Sequence, residues 1–129
     1  MIRRFMTGEP RVVIVDDEPL FVEMVQTLLE TEGGIEVVGK APNGKRGVEL
    51  ASILDPDVVI MDVSMPVMNG IDATRAIREH DPAACVLILT GGSNIAEIDK
   101  ARKAGAAAYL TKERIASDLI NEIRSVAAQ

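Results

Sequence analysis

The feature that most limits the fold of this chain is a set of five short apolar runs that do not alternate with polar residues. The first covers residues 11–16 and is rich in valine and isoleucine. The others have the same character and cover residues 35–39, 58–62, 85–90 and, more weakly, 107–111. Unbroken runs of this length are typical of strands that are covered on both faces, as in a parallel sheet.

Segments with helical periodicity separate the five runs. Apolar residues from Leu20 to Leu29 share one helical face, and Gly33-Gly34 ends that helix. Further helices are predicted from a cap at Asn43 to Leu54, over residues 71–79, from a cap at Ser93 or Asn94 (with Glu97 completing a capping box) to Gly105, and over residues 115–126. Five successive β–α units predict a parallel sheet with helices on both faces and right-handed crossovers.

Composition and charge limit what the protein can do. The 129 residues fit a single domain, and 47% hydrophobic with 26% charged residues is ordinary for a globular protein. The net charge of −6 opposes nucleic-acid binding, so we expect no direct contact with DNA or RNA. No apolar run approaches the roughly 20 residues of a membrane span, and no signal peptide is evident, so we expect a cytoplasmic protein without membrane association.

The lone Cys85 is expected to be a small buried apolar residue.

Three carboxylates follow two of the predicted strands. Asp16 and Asp17 end the first strand and Asp62 ends the third, at the edge where open α/β sheets place their ligand sites. If the strand order is 2-1-3-4-5, these strands are neighbours and the acids converge, which calls for a cation because like charges repel. Magnesium fits best, since calcium prefers about six to eight oxygen ligands.

Each of these acids also has a purely structural explanation. The sequence Asp17-Glu18-Pro19 is typical of a helix start with proline in its first turn, and Asp62 lies in a loop where turn acids are common. Three acids at two adjacent strand ends exceed what capping requires, which favours a metal site.

Two further strand ends supply groups that suit an anion. Thr90 ends the fourth strand and precedes Gly91-Gly92, whose missing side chains let an anion approach the backbone, and Lys112 follows the fifth strand. Mg²⁺ and Lys112 together balance the three carboxylate charges before a phosphoryl group arrives. A phosphoryl group on Asp62 adds negative charge, and the Thr90 hydroxyl is placed to donate to it.

Four motifs in this order resemble the signature of response regulator receiver domains: residues 15–19 (VDDEP), 61–70 (MDVSMPVMNG), 89–90 (LT) and 109–112 (YLTK). The resemblance covers residues 9–128 and leaves residues 1–8 as an N-terminal extension. It implies an α/β fold of the flavodoxin-like, doubly wound (βα)5 type, with a five-stranded parallel sheet in the order 2-1-3-4-5. It also implies site roles: Asp62 is the phosphoacceptor, Asp17, Asp62 and the main-chain carbonyl of Ser64 bind Mg²⁺, Asp16 assists through water, and Lys112 pairs with the phosphoryl oxygens.

The function that this resemblance implies is a phosphoacceptor switch of a two-component system. A sensor histidine kinase or a histidine phosphotransfer protein would supply the phosphoryl group, and the chain would catalyse its own phosphorylation and dephosphorylation without being a turnover enzyme in the ordinary sense. Thr90 and Tyr109 would then change the surface of the fourth helix, fifth strand and fifth helix, controlling transcription through an output domain or partner protein. A phosphorylation-dependent homodimer is a further possibility. From spacing alone, the Tyr109 ring could equally cover a sheet edge.

One position departs from the receiver pattern, and two other functions stay open. Glu113 follows Lys112 where receivers usually carry proline, often with a cis peptide bond. A cis bond is costly without proline, so the sequence leaves the cis or trans state of this bond open and puts the reach of Lys112 in question. A magnesium-dependent phosphohydrolase of the haloacid dehalogenase type would use Asp62 as nucleophile, but its second aspartate is Ser64 here. The third function is a docking module that is never phosphorylated. The lone His80 is expected to be a solvated residue at a helix end.

Overall fold

The computed structural model describes residues 9–92 and 94–128 of the chain. Within these residues five parallel strands form one sheet, and the strands lie in the order 2-1-3-4-5, as predicted. The strands are β1 (Arg11–Val15), β2 (Glu36–Ala41), β3 (Val58–Asp62), β4 (Val86–Thr90) and β5 (Ala108–Thr111).

In the described part of the chain, five helices alternate with the strands. They are α1 (Pro19–Glu32), α2 (Gly44–Leu54), α3 (Gly70–His80), α4 (Ile95–Ala104) and α5 (Ile115–Ala127), with a 3₁₀ turn at Lys112–Arg114 before α5. The predicted caps at Asn43 and Asn94 accept hydrogen bonds from the first turns of α2 and α4. Gly105 ends α4 at a φ of 103°, in the left-handed region that favours glycine.

The sheet separates two apolar layers. Ile14, Ile60 and Leu87 pack on one face with residues of α1 and α5, whereas Val15 and Met61 pack on the other face with residues of α2, α3 and α4. Every residue of β3 and β4 is buried. This two-sided burial explains why the apolar runs do not alternate with polar residues.

The structure moves some predicted boundaries. Ile35 is buried but precedes β2, because its N–H donates to the Leu29 carbonyl at the end of α1. Cys85 lies one residue before β4 and is only half-buried, so the prediction of a buried cysteine was too strong. His80 is exposed at the end of α3, as predicted, and its ring lies 3.3 Å from the Ser52 hydroxyl.

Residues 1–8, predicted as an N-terminal extension, and the alternative cap Ser93 lie outside the described residues. The boundaries of the receiver domain at residues 9 and 128 stay a prediction. Among the helices that the structure describes, none combines the length and the apolar character needed to cross a membrane.

Candidate functional site

The predicted acids converge at the carboxyl edge of the sheet. Because β1 and β3 are hydrogen-bonded neighbours, Asp16 and Asp17 lie beside Asp62. One carboxylate oxygen of each of the three residues lies within 4.8 Å of the others. Asp16 and Asp62 are buried, at 3% and 5% exposure, whereas Asp17 is exposed to solvent. The acidic cluster is therefore buried on the side of Asp16 and Asp62 and open to solvent on the side of Asp17.

The turn after β1 is organised by Asp16 and not by Asp17. Asp16 Oδ1 accepts a hydrogen bond from the Glu18 N–H at 2.9 Å, and Pro19 opens α1 as predicted. Glu18 is the N-cap residue, and its side chain makes no capping hydrogen bond. The helix-capping alternative therefore does not account for Asp17, and Asp16 retains its second oxygen for the site.

The start of α3 is packed directly against Asp62. Gly70 donates its N–H to the Val63 carbonyl at 2.8 Å, and a Cβ at Gly70 would overlap the main-chain carbonyl oxygen of Asp62. Only glycine allows this approach, so α3 fixes the backbone that carries the Asp62 carboxylate.

Lys112 reaches the acidic cluster from the 3₁₀ turn that follows β5. Its Nζ lies 3.2 Å from Asp16 Oδ2 and 3.2 Å from Asp62 Oδ1. The Nζ also lies 4.3 Å from the centroid of the Phe21 ring on α1, a favourable cation–π distance. No cis peptide bond occurs among the described residues, so the bond after Lys112, which the sequence left open, is trans, and it does not prevent this reach.

Burial and charge shift the pKa values of this pair. Burial raises the pKa of Asp62 from 3.8 to about 6, and repulsion from Asp16 adds to the rise, while Lys112 opposes it. Burial alone lowers the pKa of Lys112, but the charges of Asp62 and Asp16 outweigh it and raise that pKa above its ordinary value. Lys112 therefore stays protonated, and its single positive charge compensates only part of the negative charge of the acidic cluster.

Thr90 and Tyr109 both donate hydrogen bonds to Glu97, whose side chain was predicted to complete the capping box of α4. Thr90 is buried at the end of β4, one residue beyond Leu89, which pairs with Asp62. Its hydroxyl donates to Glu97 Oε1 at 3.0 Å, and the Tyr109 hydroxyl donates to the same oxygen at 3.1 Å. The predicted capping box was therefore wrong for the Glu97 side chain, although the Asn94 cap is confirmed.

Two other predicted groups lie at the rim of the site. Ser64 is exposed in the loop between β3 and α3, and the role of its carbonyl in metal binding stays a prediction. Gly91 and Gly92 are exposed, and a Cβ at either position would have no neighbour within 4 Å. Steric crowding therefore does not explain why these two residues are glycines. That an anion approaches their backbone stays a prediction.

Comparison with known proteins places this site in a family. The model of the response regulator receiver domain matches residues 12–124. The chemotaxis protein CheY of Thermotoga maritima is 38% identical over 116 residues, which is 90% of this chain and 96% of that protein. The transcriptional regulatory protein DegU of Brevibacillus brevis is 38% identical over 91% of this chain, and the chain spans 50% of its length. The nitrate/nitrite response regulator NarL of Escherichia coli is 33% identical, with 54% of its length spanned.

Solved structures of response regulators are also similar to this chain. The receiver domain of NarL from Mycobacterium tuberculosis matches with a TM-score of 0.89 at 32% identity, covering 94% of this chain and 98% of that chain. A LuxR-family response regulator from Aurantimonas also matches with a TM-score of 0.89, at 36% identity over 94% of this chain and 86% of that chain. The similarity extends over nearly the whole chain and includes all the strand ends that form the acidic cluster.

Proposed function

Because the chain belongs to the response regulator receiver domain family, we propose that it is a phosphoacceptor switch of two-component signalling in which Asp62 accepts the phosphoryl group. The donor that we propose is a phosphohistidine of a sensor kinase or of a histidine phosphotransfer protein. We place the reaction in the cytoplasm, where these donors present their phosphohistidine.

The observation that carries this proposal is the position of the Lys112 ammonium group. It lies 3.2 Å from Asp62 and 3.2 Å from Asp16, although 96 residues separate Lys112 from Asp16. A buried carboxylate beside a fixed cation is suited to receive a dianionic group, because the cation offsets charge that would otherwise repel the carboxylate.

The donor set of the acidic cluster fits Mg²⁺. Its oxygens come from Asp16, Asp17 and Asp62, and hard oxygen ligands with one exposed side suit a cation that retains several waters. We propose that Asp17 and Asp62 bind Mg²⁺ with the carbonyl of Ser64, and that Asp16 assists through water. When bound, the ion supplies positive charge that stabilises the phosphoryl oxygens.

The proposed reaction uses Asp62 as an oxygen nucleophile. A carboxylate oxygen forms a bond to phosphorus while the bond between phosphorus and the donor nitrogen breaks, and the electrons of that bond leave with the donor imidazole. Lys112 donates hydrogen bonds to the phosphoryl oxygens, and Thr90 donates a further one after the transfer. The pKa of about 6 keeps Asp62 mainly ionised near neutral pH, as a nucleophile requires.

The output that we propose is a change in the surface of α4, β5 and α5, driven by Thr90 and Tyr109. DegU is a transcriptional regulatory protein, and this chain spans 50% of its length. We propose that this chain controls transcription through an effector domain or a partner protein. A homodimer formed on phosphorylation is one form that this output can take.

Phosphorylation by a small-molecule donor tests the proposal directly. Acetyl phosphate with Mg²⁺ is expected to add one phosphoryl group per chain in intact-protein mass spectrometry. A chelator, or the substitution Asp62→Asn, is expected to reduce labelling to background, because each removes a required group. Lys112→Ala is expected to slow labelling by roughly a hundredfold, as the loss of one preorganised charge contact does.

The matched control for Asp62→Asn is Asp81→Asn. Asp81 follows α3 at the opposite end of the sheet, and asparagine can still accept the hydrogen bond that Asp81 receives from the Ala83 N–H. Labelling of this variant is expected to equal that of the wild type. Wild-type labelling of Asp62→Asn would overturn the assignment of the phosphoacceptor, and no labelling of the wild type would favour a docking module.

A further inference from the structure

A single carboxylate oxygen joins the two side chains that are expected to relay the signal. Glu97 Oε1 accepts hydrogen bonds from the Thr90 hydroxyl at 3.0 Å and from the Tyr109 hydroxyl at 3.1 Å. The Tyr109 hydroxyl also lies 3.2 Å from the Gly92 carbonyl oxygen. The start of α4 is thereby connected to the carboxyl end of β4 and to Tyr109 within β5.

The backbone of Glu97 is held independently of these contacts. Asn94, the N-cap of α4, accepts hydrogen bonds from the N–H groups of Ala96 and Glu97. Glu97 lies in the first turn of α4, where the helix dipole stabilises a negative charge. Its half-buried carboxylate is therefore an acceptor whose backbone is held in the first turn of α4, and hydrogen bonds to carboxylates are stronger than those between neutral groups.

The Thr90 hydroxyl cannot serve Glu97 and a phosphoryl group at the same time. A hydroxyl carries one proton and donates one hydrogen bond. In the structure Thr90 directs that proton to Glu97. A bond from Thr90 to a phosphoryl oxygen on Asp62 therefore requires the bond to Glu97 to break.

We infer that Glu97 is a positioning residue that holds Thr90 and Tyr109 in the resting state and releases them when a phosphoryl group on Asp62 takes the Thr90 proton. The inference rests on the proposed function. Once Thr90 has turned away, Tyr109 alone of the two hydroxyls contacts Glu97 Oε1, so the same event weakens the link between α4 and β5 and favours movement of the Tyr109 ring. Glu97 opposes activation, and its strength as an acceptor sets the fraction of active protein.

Beryllofluoride with Mg²⁺, a non-covalent substitute for the phosphoryl group, provides the test. The chain has one tyrosine and no tryptophan, so its fluorescence reports binding through Tyr109. Glu97→Ala is expected to bind beryllofluoride about tenfold more tightly than the wild type, because a hydrogen bond to a charged acceptor no longer competes. Glu97→Gln keeps an uncharged acceptor, and its affinity is expected to lie between the two.

The decisive comparison uses Thr90→Ala as a second background. Without the Thr90 hydroxyl, adding Glu97→Ala is expected to change the affinity by less than about twofold, as a double-mutant cycle for directly coupled residues requires. A control for the lost charge is Asp99→Ala, since Asp99 lies on the same helix and pairs with Lys103 at 3.1 Å. This variant is expected to bind beryllofluoride as the wild type does.

Each other result decides against the inference. Unchanged affinity in both Glu97→Ala and Glu97→Gln would overturn it while leaving the proposed function intact. An equal gain in the Thr90→Ala background, or in Asp99→Ala, would show that charge alone is responsible. No binding of beryllofluoride by the wild type would overturn the proposed function and the inference together.

Discussion

At the scale of single residues, the cost of ionising Asp62 is the property that prepares this site for a ligand. Its carboxylate is buried beside Asp16, and Lys112 compensates only part of the charge, so its pKa rises to about 6. A cation bound at the acidic cluster would reduce this cost. The same features that weaken the free protein therefore favour binding of a divalent cation.

The raised pKa of Asp62 makes a prediction about stability. Because the folded pKa lies above the unfolded one, the native state holds the proton more tightly, and stability is lost as pH rises from about 4 through about 6. In a chelator at about pH 7.5, Asp62→Asn is expected to raise the free energy of unfolding by up to about 3 kcal/mol. Urea denaturation at this pH and at about pH 4 measures the effect.

The gain from Asp62→Asn is expected to shrink at the lower pH, where the wild-type carboxyl is also largely neutral. Adding Mg²⁺ at about pH 7.5 is expected to narrow the difference again, because the ion binds the wild type more tightly and stabilises it by mass action. A gain of equal size at both pH values would show that ionisation of Asp62 is not the cause.

At the scale of helices and strands, the segments around the site were predictable where a local rule acts. The caps Asn43 and Asn94, the end of α4 at Gly105 and the proline in the first turn of α1 all follow from the backbone preferences of these residue types. The hydrogen bonds of the Glu97 side chain were not predictable from local sequence, because the sheet brings its partners on β4 and β5 to it.

The loop between β3 and α3 contains a backbone conformation that local sequence preferences do not predict. Val67 has a φ of 72°, in the left-handed region that a β-branched residue rarely adopts. The loop must close the short distance from Asp62 to the start of α3, and the close packing of Gly70 on Asp62 fixes its far end. Tertiary packing therefore overrides the preference of Val67.

The contact between α3 and β3 leads to a prediction for Gly70→Ala. The added methyl group overlaps the Asp62 carbonyl oxygen, so α3 or Asp62 must shift. We expect a loss of about 1–3 kcal/mol in the free energy of unfolding, as overpacking costs, together with slower phosphorylation of the folded variant by acetyl phosphate. Chemical denaturation and the labelling rate measure the two effects.

The control for Gly70→Ala is Gly91→Ala, where the new methyl group has no neighbour within 4 Å. Its unfolding free energy is expected to stay within about 0.5 kcal/mol of the wild type. Equal stability of the Gly70 and Gly91 variants would contradict the claim that α3 fixes the Asp62 backbone.

At the scale of the whole molecule, the site exists only because the strand order joins distant parts of the chain. The pattern of apolar runs predicted the strands, and the motifs at their ends pointed to Asp16, Asp17, Asp62, Thr90 and Lys112. The reach of Lys112 to two carboxylates was not predictable, since it depends on the twist of the sheet and on Phe21 beneath the ammonium group. Local sequence identifies which groups meet, and packing decides their distances.

The most direct test of Asp62 as the phosphoacceptor is the chemical identity of the phosphorylated residue. After treatment with acetyl phosphate and Mg²⁺, reduction with borohydride converts an aspartyl phosphate to homoserine, which peptide mass spectrometry locates. If Asp62 is the phosphoacceptor and Mg²⁺ is required, homoserine is expected at position 62 alone, and none is expected in protein that was treated without a divalent cation. Homoserine at position 16 or 17, or a phosphoryl group on a histidine or hydroxyl side chain, would contradict it.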